Sequence, residues 1–147
     1  APVFATDVVP AAVAAARENA SRAGVGDAIR FAVADASEFP APSARGTIVT
    51  NPPYGERIAP RGPRASDGGG FPAALAAHWK RHYPGWTAWV LSPDPRLPTA
   101  MRLEASRRVP LWNGPIECRL FRFEMVEGSN RRRPARPASP LGSWSEG

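Results

Sequence analysis

Asn51-Pro52-Pro53-Tyr54 is the run in this 147-residue chain whose residue types and order can do chemistry. An amide side chain, a locked backbone carbonyl and an aromatic ring suit a planar amine on a heterocycle. Such an amine is a poor nucleophile because its lone pair is delocalised into the ring. The Asn51 side-chain oxygen and the Pro52 carbonyl can each accept one amine hydrogen, which favours a pyramidal nitrogen with a directed lone pair. Proline fixes φ, so Pro52 and Pro53 hold that carbonyl at little entropic cost. Tyr54 can stack on a base withdrawn from its helix or loop. The plain alternative is a rigid turn ending a strand. Position favours chemistry, because the run follows a short apolar strand, Gly46 to Thr50, that itself comes after two strands ending in acids.

Those two strands are Pro2 to Asp7 and Ile29 to Ala34, the second stopping at Asp35. Between them Pro10 opens an alanine-dense helix to Ala23, and Gly24 follows where a left-handed residue closes helices. A helix from about Phe71 to His82 and a strand from Thr87 to Leu91 come later, with a weaker helical turn from Asp94 to Met101. Repeated strand-helix units imply a mostly parallel sheet with helices on both faces, and ligands at the strands' C-terminal edge. The alternation ends in two strands, Arg107 to Leu111 and Ile116 to Val126, whose link contains Asn113-Gly114, a pair suited to a tight reversal. The sequence therefore predicts one domain over residues 1–127. Residues 128–147, with proline, serine and arginine but little to bury, form a disordered basic tail.

Asp7 stands where an acid can accept both hydroxyls of a ribose; capping the helix near Pro10 is its alternative. Asp35 can accept from an adenine amino group while the Ala36 amide donates to a ring nitrogen, or it can simply form a turn. Val8 could pack on the adenine or belong to the core. His78 and His82, four apart on a helix, have metal-ligand spacing without an evident third ligand, so no metal is expected. One cysteine, Cys118, excludes an internal disulfide, and no apolar run reaches the length of a membrane span. The expectation is a cytoplasmic protein with no membrane contact.

The segments ATDVVPAAVAAARENASRAGV, ADASEF, TNPPYGER and LWNGPIECRLFRFEM together resemble the C-terminal catalytic domain of the THUMP-linked RNA methyltransferases. Within that family they are most similar to the bacterial large-subunit ribosomal RNA (guanine-N2) enzymes, and the likeness runs from about Val3 to Val126. The resemblance implies a Rossmann-like class I methyltransferase fold with S-adenosylmethionine as cofactor and RNA as partner. It makes Asn51, Pro52, Pro53 and Tyr54 catalytic, and Asp7, Val8, Asp35, Ala36 and Asn51 cofactor-binding. It also extends the substrate side to Tyr54, Gly55, Glu56 and Arg57, the last two of which could equally form an exposed ion pair. The reaction implied is methyl transfer to guanine N2 of ribosomal RNA. Transfer RNA guanine, DNA adenine and a protein glutamine amide are alternatives, because the motif serves any planar amine; a non-catalytic RNA-binding fragment is the alternative from another class.

The chain departs from the family at its front. Family members begin with a strand and a glycine-rich turn around the cofactor's methionine end, and this segment would precede Ala1. The glycine cluster Gly68 to Gly70 follows the motif and cannot replace it in order, and the THUMP module is expected upstream. The absent strand would sit between those ending at Asp7 and Asn51, leaving unpaired backbone on both sides, as in a piece of a longer product.

A formal charge of +6 permits an anionic partner. Four arginines of the tail, Arg131, Arg132, Arg133 and Arg136, against Glu146 account for half of it. Arg107, Arg108, Arg119 and Arg122 could form a phosphate-contacting face on the closing hairpin or an ordinary solvated strand face. Trp79, Trp86, Trp89 and Trp112 read as core or hairpin packing. Arg57 to Gly70, rich in glycine, proline and arginine, reads as a mobile loop beside the motif.

Overall fold

The structure is a computed structural model that describes residues 2–53 and 70–126. Tyr54, Gly55, Glu56 and Arg57, the rest of the glycine-rich segment up to Gly69, and the basic tail all lie outside the described residues.

The chain runs β1 (Val3–Asp7), α1 (Pro10–Arg22), β2 (Ile29–Val33), β3 (Thr47–Thr50), α2 (Gly70–His82), β4 (Thr87–Ser92), α3 (Leu97–Met101), β5 (Arg107–Asn113) and β6 (Ile116–Glu124). α1 begins at Pro10, whose missing N–H would have had no helical partner anyway. It ends where Ala23 and Gly24 donate to the carbonyls of Asn19 and Ser21, with Gly24 left-handed at φ 71°.

The strands form two sheets. β1 and β2 pair in parallel, Asp7 opposite Val33, and the second sheet has the order β3-β4-β6-β5. β3 and β4 are parallel, whereas β6 runs antiparallel to both β4 and β5. Among the described residues each of β1 and β3 has a strand partner on one edge only. The parallel β2-β1 pair and the mixed β3-β4-β6-β5 sheet are consistent with a Rossmann-like methyltransferase fold.

One face of the four-stranded sheet carries the core. β4 alternates, burying Ala88, Val90 and Ser92. Phe121 and Phe123 of β6, stacked at 6.3 Å, lie beside them with no exposure. α2 covers this face with Leu75, Ala76 and Trp79, and α3 adds Leu97 and Met101. Each fully buried side chain of this size contributes roughly 1.5–3 kcal/mol. The other face stays open at Val49, which is 77% exposed.

One reading of the hairpin needs correction. Asn113 pairs with Ile116, so the reversal is Gly114-Pro115 rather than Asn113-Gly114. Gly114 takes φ 59° at the first turn position and proline's fixed φ suits the second, the residue pattern of a type II′ turn. Trp112, on the turn-proximal end of β5, is 68% exposed, which leaves hairpin packing rather than core of its two alternatives. Trp79 and Trp86 are buried as expected, and Trp89 is half-buried.

Candidate active site

The C-terminal edge of the two-stranded sheet places two carboxylates on neighbouring strands. Asp7 ends β1, and its carbonyl accepts the Ala34 amide at 3.0 Å, which seats Asp35 just beyond β2. Asp7 Oδ1 accepts the Val9 amide at 2.8 Å. It does not cap α1, whose N-cap position is Val9 and has no side-chain bond. Asp35 Oδ1 takes two donors from Ser37, the amide at 2.8 Å and the hydroxyl at 2.7 Å. Each carboxylate therefore has one oxygen fixed in its own turn, while the other has no partner among the described residues. The Ala36 amide is likewise without a described partner. Val8 is 60% exposed, which removes the core reading for it. A cleft of ≈130 Å³ lies beside Asp7, lined by Ala5, Thr6, Ala12, Val13, Ala16 and Phe31. It is apolar and smaller than the few hundred Å³ typical of a nucleoside-sized ligand.

Asn51 follows β3 at the same edge of the second sheet. Thr50 is opposite Val90, the last pairing of β3 with β4, and Asn51 and Pro52 follow it directly. Pro52 is buried between exposed neighbours, Asn51 and Pro53. Neither the Asn51 side chain nor the Pro52 carbonyl is taken by another described residue. Two acceptors are thus presented on a rigid two-proline support at a strand end.

Sequence reasoning missed the neighbouring corner Ser92-Pro93-Asp94. Ser92 is fully buried, its Oγ accepting the Asp94 amide at 3.0 Å, and Asp94 Oδ1 accepts the Arg96 amide at 2.8 Å. An acid between two prolines directly after a strand was the available signal.

The four hairpin arginines do not make one face. Residues opposite each other in a ladder project to the same side, which puts Arg107 and Arg122 on one side and Arg108 and Arg119 on the other. Arg122 is also occupied, 2.7 Å from Glu124 and 5.9 Å from the Trp89 ring. The His78 and His82 rings meet at a tilt of 36° with centroids 4.7 Å apart. Among the described residues no group of three His, Cys, Asp or Glu side chains is placed to hold a metal ion. No helix among them is long and apolar enough to cross a membrane.

An α/β sheet of this order, with acids ending β1 and β2 and an Asn-Pro-Pro run ending β3, defines the chain as a methyltransferase domain by fold. Residues 1–122 match the family model described as RMKL-like, methyltransferase domain, and the chain belongs to that family. The Ribosomal RNA large subunit methyltransferase K/L of Shewanella sp. (strain W3-18-1) is 33% identical over 129 residues, covering 88% of this chain. The chain spans 18% of that relative's length. Among solved structures, SMU.472 complexed with SAH superposes with a TM-score of 0.71 at 23% identity, covering 83% of this chain and 31% of that one. A predicted N6-adenine-specific DNA methylase from Listeria monocytogenes str. 4b F2365 gives 0.65 at 24% identity, covering 82% and 29%.

Proposed function

We propose that the protein carrying this chain transfers a methyl group from S-adenosylmethionine to an exocyclic base amine of RNA, guanine N2 of large-subunit ribosomal RNA first among them. The observation that carries the reading is the placement of Asn51 and Pro52, two acceptors without a partner among the described residues on a rigid strand end, in a chain of the RMKL-like methyltransferase domain family. The Asn51 side-chain oxygen and the Pro52 carbonyl each accept one hydrogen of the amine and turn its lone pair outward. Pro53 stiffens the support, Tyr54 stacks on the base, and Gly55, Glu56 and Arg57 extend the substrate side.

The residues present fit S-adenosylmethionine. The oxygen of Asp7 without a partner among the described residues suits the ribose hydroxyls, that of Asp35 the adenine amino group, and the Ala36 amide a ring nitrogen, with Val8 itself exposed. When bound, the cofactor supplies a methyl group made electrophilic by a positively charged sulfur. The chain's own contribution is to hold the acceptor nitrogen and exclude wrong orientations; the proton released from the amine passes to water.

Ribosomal RNA is favoured by the K/L relative's name and by the hairpin residues LWNGPIECRLFRFEM. The test uses the protein at its full encoded length with methyl-labelled S-adenosylmethionine and four acceptors: unmodified large-subunit ribosomal RNA, transfer RNA, adenine-containing DNA and a glutamine peptide. Incorporation into ribosomal RNA supports the reading. Incorporation confined to another acceptor moves the substrate assignment, and RNA binding without incorporation into any acceptor returns the chain to the RNA-binding class.

A further inference from the structure

Phe39 lies four residues beyond Asp35 and closes the same turn, its amide donating to the Asp35 carbonyl at 2.9 Å. Its own carbonyl receives two side chains from the other half of the molecule. His78 Nε2, on α2, is 2.7 Å away, and the Tyr83 hydroxyl, just after α2, donates at 2.8 Å. A third bond follows from the same region, Trp86 Nε1 to the Ser43 carbonyl at 3.0 Å. The three donors are themselves packed together: the His78 and Tyr83 rings meet edge-on at 5.7 Å, and Tyr83 meets Trp86 at 5.2 Å. Tyr83 and Trp86 are buried, and both belong to the core of the four-stranded sheet.

The Asp35 turn leaves a sheet that shares no strand pairing with β3, which delivers Asn51. Among the described residues the bonds to Phe39 and Ser43 tie it instead to the core that also supports β3 and β4. We propose that His78 and Tyr83 are positioning residues that hold the Asp35 turn, and with it the adenine end of the cofactor, in register with Asn51-Pro52. The proposal rests on the cofactor reading of Asp35 given above. It also gives the histidine at metal-ligand spacing a different role. Because a carbonyl only accepts, His78 Nε2 must carry a hydrogen, so this nitrogen is a donor and not a metal ligand. Burial raises the Tyr83 pKa above its ordinary value, so its hydroxyl also stays a donor across the working range.

The test compares His78→Ala, His78→Gln, Tyr83→Phe, the His78→Ala/Tyr83→Phe double variant and Asp35→Ala in the protein at full encoded length. SAH affinity is read by calorimetry, and KM for S-adenosylmethionine and kcat by methyl incorporation. Each single loss of a donor raises the SAH Kd and the cofactor KM about three- to tenfold, the effect of one ordinary hydrogen bond, and the double variant raises them further. The kcat at saturating cofactor stays near wild type, and His78→Gln, which keeps a donor, recovers most of the affinity. Unchanged SAH affinity in the double variant, with Asp35→Ala still weakened, overturns the clamp alone. Unchanged affinity in Asp35→Ala overturns the cofactor reading and the clamp with it.

Discussion

Replacing Gly46 by alanine puts a methyl group into space already held by Trp86. A Cβ built at Gly46 lies 2.4 Å from Cζ3, 2.5 Å from Cη2 and 2.8 Å from Cε3 of that ring, whereas ordinary contact begins near 3.4 Å. The indole must therefore withdraw by about 1 Å, well beyond what close-packed interiors absorb without loss. It has little room to do so. Trp86 is buried, its Nε1 donates to Ser43 at 3.0 Å, and Tyr83 packs against its edge. Overpacking of this kind costs about 1–3 kcal/mol, and stretching the indole bond adds about 1 kcal/mol. Gly46 does not have a positive φ, so alanine also brings a backbone gain of roughly 0.4–1 kcal/mol by restricting the unfolded chain. Steric cost wins, and Gly46→Ala is expected to lower stability by about 1–3 kcal/mol net. Urea denaturation checks this as a lower midpoint at unchanged slope. The same substitution in a Trp86→Leu background separates the cause, since removing the ring should make alanine nearly neutral or stabilising. A Gly46→Ala protein as stable as wild type, or one that loses as much in both backgrounds, refutes the argument. The consequence reaches the site, because Gly46 leads directly into the strand that ends at Asn51.

Other perturbations probe separate parts of the account. Phe121→Ala removes a side chain with no exposure from the centre of the second sheet and should cost about 3–5 kcal/mol in the same denaturation assay. Asp7→Asn retains the oxygen that holds Val9 but removes the charge offered to a ribose; SAH affinity measured by calorimetry should fall about tenfold while the melting temperature stays put. The raised Tyr83 pKa makes the folded state hold that proton more tightly than the unfolded one, so this group's stabilisation is complete below pH 10, its ordinary value, and is lost as pH rises above it. Stability measured from pH 8 to 11 should therefore decline at the alkaline end, and part of that decline should vanish in Tyr83→Phe.

Much of the fold was legible because its elements carry redundant signals. Pro10 and Gly24 bracket α1, the alternation of Thr87 to Ser92 marks β4, and the acids ending β1 and β2 announce the sheet edge. The hairpin was misplaced by one residue because Asn113-Gly114 is a strong turn pair locally, yet cross-strand pairing of Asn113 with Ile116 decided the register. Asp7 was read as either a ribose ligand or a helix cap; the bond to Val9 shows a turn role distinct from the cap and leaves an oxygen for a ligand. The hairpin arginines were grouped by sequence proximity, whereas strand pairing sends them to opposite faces. Nothing in the sequence joins Phe39 to His78 and Tyr83, 39 and 44 residues away, since a backbone acceptor has no residue signature. Ser92 was passed over for a related reason: its burial comes from its position on the covered face of β4 and not from its own type.

The central claim is that Asn51 holds the amine that becomes methylated. Its most direct test is nucleoside mass spectrometry of unmodified large-subunit ribosomal RNA after incubation with S-adenosylmethionine and the full-length protein, wild type or Asn51→Ala. The account predicts N2-methylguanosine with the wild type and a loss of at least about a hundredfold in rate at saturating S-adenosylmethionine with Asn51→Ala, the cost of deleting one positioned transition-state acceptor. A methylated product formed equally well by Asn51→Ala, or no methylated nucleoside from the wild type, contradicts it.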